Sequence, residues 1–444
     1  MPPRHLSWFS IFRLGLVQTA LGAIVVLTTS TLNRVMVVEM ALSATIPGAL
    51  VTLHHAMQLL RPRMGHGSDL GQRRTPWIIG GMAVLALGGL GAAIATTLMA
   101  TSFPFALALA VLSFAAIGAG VSACGTSLLV LMAKRVAPER RGAAATLVWM
   151  MMIAGFAVTA VVAGKQLDPF SGPRLIAVAA AISALAMLVC LVAIWGVEGE
   201  GAVSAAPEAD EPKTAFLPAL RQVWSEPDAR RFTVFIFVSM LAYSAQDLIL
   251  EPFAGAIFAF SPGQSTTLSG VQHGGVFSGM LLVAVLTSLF KSNPARLLKG
   301  AVIGGCLASA VAMAGLVYAG LGHPAWLLKE NVFALGAANG VFSIAAIGGM
   351  MTLASQGRSA REGVRMGLWG AAQAIASGTG GFLGTALFDG GSRLGLTPAV
   401  AYVFVFALEV LGFLAASALA AGISFSAKDE AAAPAGVSEV LGSP

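Results

Sequence analysis

The sequence predicts an all-α membrane protein: twelve transmembrane helices arranged as two six-helix bundles. Three observations lead there. The first is composition. Of 444 residues, 57% are hydrophobic and only 10% are charged, with a mean hydropathy of +0.83, whereas an average soluble domain is about 25% charged. A water-soluble enzyme of this size is excluded for want of polar surface. The 52 glycines follow no collagen-like period. The second observation is a series of apolar windows near the roughly 20 residues that cross a hydrocarbon core. The third is an internal repeat.

In chain order the windows run over 14–38, 44–60, 76–99, 105–133, 143–164 and 174–196. After a polar break come 232–255, 267–290, 297–320, 325–354, 364–387 and 397–424. Arg13 leads directly into the first window, which reads as a span rather than a cleaved leader. The expected organisation is a first bundle over 1–196, a cytoplasmic linker over 197–231, a second bundle over 232–424 and a disordered tail over 425–444. The linker is rich in Glu, Ala, Pro and Gly, and the tail in Ala, Gly, Ser and Pro.

Charge sets the orientation. Threading the spans places 21 of the 26 Lys and Arg residues on the side that holds both termini, which the positive-inside rule makes cytoplasmic. The net charge of +6 is therefore a topology signal, with no nucleic-acid partner implied. Arg141 to Trp149 (RGAAATLVW) has a counterpart at Arg361 to Trp369 (REGVRMGLW), and Ile79-Gly80-Gly81 recurs as Ile303-Gly304-Gly305. A parallel duplication of this kind is a transporter-type architecture. Gly336-x-x-x-Gly340 and Gly380-x-x-x-Gly384 are expected to serve close helix packing. Cys124, Cys190 and Cys306 lie in apolar stretches without CxxC spacing and are expected to pack.

Two loops carry a first resemblance. Gly65-His-Gly-Ser-Asp69-Leu-Gly71-Gln-Arg73-Arg74 resembles the G-x-x-x-D-x-x-G-R-R signature of the major facilitator superfamily, with the second glycine one position early. The loop holding Glu139, Arg140 and Arg141 is similar to that superfamily's fourth-to-fifth connection. Asp69 can cap the third helix or pair with a facing arginine, latching the cytoplasmic side; alternatively, these charges are solvated at headgroups. In the second half the acid is replaced by Asn293.

Two polar stretches within apolar windows narrow the resemblance. Thr31-Leu-Asn33-Arg34-Val-Met-Val-Val-Glu39 closes the first span, and Gln246-Asp247-Leu-Ile-Leu-Glu251-Pro252 occupies the equivalent place in the seventh. Both resemble hallmark segments of the PucC family, the photosynthetic-complex assembly branch of the superfamily. The stretch Gly48 to Gly81, with His54 and Arg73-Arg74-Thr-Pro-Trp77, is similar too. The resemblance implies a non-catalytic assembly factor in the bacterial inner, photosynthetic intracytoplasmic membrane. It implies bacteriochlorophyll as ligand, with light-harvesting or core antenna polypeptides and the bacteriochlorophyll synthase as partners.

Buried ionisable groups need a partner or a task, because each costs roughly 2.5–3.5 kcal/mol at mid-span. Asp247 and Glu251 fall on one helical face, and Arg34 at the pseudo-symmetric place is the expected counter-charge. The trio reads as a clamp between the halves, a proton-coupling site, or a contact to a ligand or partner. His54 and His273, in the second and eighth spans, are candidate axial ligands for a chlorin magnesium, against interhelical bonding as the alternative. His55 points about 100° from His54 and is expected to pack or face lipid. Glu39 is expected in solvent, and Glu409 has no evident role.

No phosphate-cradling loop or aspartate-rich diphosphate motif is present. The expected function is binding or delivery of bacteriochlorophyll to nascent antenna polypeptides. Two alternatives are a proton-coupled exporter of an amphipathic small molecule and a pigment-free scaffold.

Overall fold

The computed structural model describes residues 5–60, 73–137, 140–198, 221, 223–290, 294–322, 327–355 and 362–423. Within them the chain forms twelve long helices. They are α1 (Trp8–Glu39), α2 (Thr45–Met57), α3 (Thr75–Leu98), α4 (Phe103–Arg135), α5 (Arg141–Leu167) and α6 (Gly172–Ile194). The second set is α7 (Pro227–Phe258), α8 (Pro262–Leu289), α9 (Pro294–Gly320), α10 (Leu328–Ser355), α11 (Glu362–Arg393) and α12 (Pro398–Ala421). Ten are long and apolar enough to cross a membrane. α2 is too short for that measure within the described residues. α11 is weakly apolar and carries Arg365, Asp389 and Arg393.

Helix starts follow local chemistry. α7 begins at Pro227, inside the stretch expected to be linker, because proline is preorganised for the first helical turn. α8 begins at Pro262, earlier than its apolar window. The Ser261 hydroxyl accepts from the Gln264 backbone while the Gln264 side chain accepts from the Ser261 backbone, a capping box. The tail over 425–444 lies outside the described residues.

The repeat is visible in the packing. In the first six helices α1 lies on α5 and α6, α3 on α4 and α6, and α2 on α4. In the second six, α7 lies on α11 and α12, α9 on α10 and α12, and α8 on α10. Across the middle, α2 meets α11 and α5 meets α8. Each half holds its own apolar core. Glycines set the tightest crossings: a Cβ on Gly336 would stand 2.0 Å from the Gln272 carbonyl, and one on Gly118 2.4 Å from that of His54. The expected packing role of Gly336 and Gly340 is seen at this α8–α10 crossing, and that of Gly380 and Gly384 between α7 and α11.

The face bearing the termini is fastened by backbone-directed charges. Arg13 donates to the Val192 and Trp195 carbonyls at the end of α6, and Arg231 donates to Gly422 at the end of α12. The two contacts occupy matching places in the two repeats. Glu198 caps α3, accepting from the backbone N–H of Arg74 at 2.6 Å and of Thr75 at 2.9 Å, and from the Thr75 hydroxyl at 2.6 Å. Burial alone would raise the Glu198 carboxyl, but these bonds and the Arg74 charge hold it below the ordinary carboxylate range. Arg365 grips Glu226 with bonds of 2.7–3.1 Å.

Candidate functional site: a clasp and a cavity between the halves

α1 is the element that positions the site. Its Leu-Thr-Thr-Ser-Thr run forms a π-turn over Leu27–Thr31, and a second π-turn covers Val35–Glu39. Thr28 and Thr29 hydroxyls bond back to the Ile24 and Val25 carbonyls, supporting the wider turns. Such bulges re-aim side chains and recur at functional sites. Here they turn Ser30, Thr31, Asn33 and Arg34 toward the other half.

The expected ion pair of Arg34 with Asp247 or Glu251 does not form. The second π-turn folds Glu39 back onto Arg34, and the two pair at 2.5 Å. Glu39 is therefore a partner rather than a solvated edge residue. A second Arg34 nitrogen, Nη2, donates to the Phe260 carbonyl at 2.6 Å, and the guanidinium lies against Gly255 of α7. Glu251 instead accepts from the Ser30 hydroxyl and lies 3.5 Å from that of Thr266. Asn33 donates to the Leu248 carbonyl at 2.7 Å, and Thr31 meets Thr266 at 3.0 Å.

Two further contacts complete this clasp on the face opposite the termini. α2 has no capping side chain of its own. Asp389 of α11 supplies the cap from the other half, accepting from the Ala44 and Thr45 backbones and from the Ser43 and Thr45 hydroxyls. Ser261 at the start of α8 donates to Asp168 after α5 at 2.9 Å.

From the clasp toward the terminus-bearing face the halves part around a cavity of about 320 Å³, within the range of ligand pockets. Its wall is largely apolar, with Trp149, Phe156, Phe342 and several methionines, interrupted by Asp247, Gln272 and the histidines. Both His54 and His273 line it, one from each half. His54 is buried, with Nε2 held 3.1 Å from the Gln58 amide nitrogen. His55 also lines the cavity, contrary to expectation. It meets His54 edge-on at 4.9 Å, and both rings flank Gln58, one turn further on.

His273 differs. Its Nδ1 lies 2.9 Å from the Ser269 carbonyl, and Phe156 meets its ring edge-on at 5.0 Å. With Nδ1–H donating there, Nε2 carries the lone pair, and no hydrogen bond reaches Nε2 among the described residues. Asp247 Oδ1 and Gln272 Nε2 are buried and make no regular hydrogen bond among the described residues, although the amide lies within interacting reach of the carboxyl. Both oxygens of Glu409 are buried without a partner among the described residues. Glu409 stands within electrostatic range of Asp247. Glu409, to which the sequence assigns no role, is a mid-span acid, and Gln272 is an amide beside a membrane histidine that the sequence reading passes over. The Trp149 and Trp369 of the repeat have diverged: Trp149 lines the cavity, while Trp369 is buried against Phe232.

Of the expected gating set, Gly65, Asp69 and Glu139 lie outside the described residues. Arg73 is exposed, Arg74 joins Glu198 through its backbone, and Arg140 lies 6.0 Å over the Trp8 ring. Arg141 opens α5.

The model of the PUCC protein family matches residues 31–427, a span that holds the clasp apart from Ser30 and most of the cavity. The chain belongs to the PucC family. The "Bacteriochlorophyll synthase 44.5 kDa chain" of Rhodobacter capsulatus is 50% identical over 419 residues, covering 94% of this chain and 96% of that protein. "Protein PucC" of Cereibacter sphaeroides is 28% identical, covering 91% and 89%. Among solved structures, a peptide transporter bound to sulfate superposes with a TM-score of 0.68 at 15% identity, covering 94% of this chain and 95% of that one. The nucleoside transporter NupG gives 0.67 at 15%, covering 92% and 99%. This PucC-family chain thus has the major facilitator fold, is a multi-pass membrane protein, and has relatives named as PucC proteins.

Proposed function

We propose that this PucC-family protein is a non-catalytic assembly factor that holds bacteriochlorophyll between its halves and delivers it to nascent antenna polypeptides. Light-harvesting or core antenna chains and the bacteriochlorophyll synthase are its partners in this reading. It sits in the inner, photosynthetic membrane with both termini cytoplasmic, so the clasp closes the periplasmic side and the cavity faces the cytoplasm.

The observation that carries the reading is His273. Its Nδ1 is anchored on a backbone carbonyl while Nε2 remains open in a mostly apolar cavity. That is the arrangement of ligating histidines, whose second nitrogen is fixed by an outer hydrogen bond. The magnesium of a chlorin supplies an open coordination position when such a ligand approaches. His54, already engaged with Gln58, is the weaker ligand of the two. The name of the 50%-identical relative supports the pigment as cargo.

The test is the spectrum of the protein purified from a pigment-producing bacterium. Far-red absorption that co-purifies, falls sharply in His273→Leu and less in His54→Leu supports the reading. A colourless protein with pH-gradient-dependent flux supports the exporter instead, through Asp247. A colourless protein that still captures antenna subunits supports the scaffold.

A further inference from the structure

We propose that the cavity selects the uncharged, esterified form of a metal chlorin over its free acid. The protein would then take the product of the ester-forming reaction rather than its substrate. This rests on the pigment reading above. Among the described residues no lysine or arginine lines the cavity. Arg34, the nearest buried cation on α1, is committed to Glu39 and the Phe260 carbonyl. Asp247 instead presents its carboxyl, with the Gln272 amide beside it and Glu409 behind it.

A ligand carboxylate entering this space would shed its water, find no counter-charge and meet an acidic side chain, each of which opposes binding. A neutral ester meets none of these. Its carbonyl oxygens can accept from the Gln272 amide and from the Ser239 and Ser377 hydroxyls, which face the same cavity. Selection of this kind works by rejecting the wrong ligand as much as by attracting the right one.

The test uses the full chain in lipid nanodiscs, titrated with a zinc chlorin as its methyl ester and as its free acid, against protein-free nanodiscs. The ester is expected to bind about tenfold tighter or more. Asp247→Asn should narrow that gap, and Ser239→Lys, which places a cation on the wall, should raise free-acid affinity. Should Ser239→Lys fail to fold, Asp247→Asn carries the test alone. Equal binding of the two forms, tighter binding of the free acid, or a gap unchanged in both variants overturns the selection while leaving the pigment reading in place. Failure of both forms to bind overturns the selection and the pigment reading together.

Discussion

Asp247 and Glu251 stand one turn apart on the same helix, and their surroundings are opposite. Glu251 sits in the clasp, where Ser30, Thr266 and Ser269 surround its carboxyl. Asp247 faces the cavity, with the Gln272 amide beside it and no regular hydrogen bond to Oδ1 among the described residues. A buried polar group that has its partners fixes structure, because leaving it unsatisfied costs about 1–3 kcal/mol. A buried polar group without them is carrying that cost for something else. The clasp and the cavity therefore divide the interior into a region spent on stability and a region held open.

Substitutions should separate the two. The largest effect is expected from Glu251→Ala, which removes the acceptor that ties Ser30 of the first half to α7 and that Thr266 and Ser269 of α8 also face. Thermal unfolding in detergent should show a loss of about 2–3 kcal/mol. Arg34→Leu should follow at about 2 kcal/mol, below the 3–5 kcal/mol of a fully enclosed pair, since the Glu39 side chain is 35% exposed. Glu198→Gln should weaken the α3 cap by about 1 kcal/mol. Because the folded Glu198 carboxyl binds its proton less readily than the unfolded one, its contribution is complete above the ordinary carboxylate range. That contribution disappears as pH falls through its lowered value. The difference in melting temperature between wild type and Glu198→Gln should shrink on acidification. Asp247→Asn should be the mildest, within about 0.5 kcal/mol. A loss as large as that of Glu251→Ala would erase the distinction.

Much of this was legible in the sequence because lipid imposes a simple rule on backbone and charge. Spans and duplication follow from apolar length and basic loops, and the paired polar segments at Thr31–Glu39 and Gln246–Glu251 mark where the halves meet. The partners did not follow. Helical spacing places Arg34 and Glu39 on different faces, and only the π-turn brings them together. Asp389 lies at the end of a weakly apolar helix, and its role as the α2 cap depends on a contact between residues 345 apart in sequence. His54 and His55 were separated by an angular argument that overlooked the breadth of the cavity wall. His273 and His54 look equivalent by position and are distinguished only by what each ring nitrogen touches.

The central claim is that the His273 Nε2 ligates a pigment metal inside the cavity. His273→Gly removes the ring and leaves room for a free imidazole. The variant is predicted to purify without far-red absorption and to regain it when pigment and millimolar imidazole are added together. Absorption that persists unchanged in His273→Gly, or a loss that imidazole does not reverse while the variant stays folded, would contradict the account.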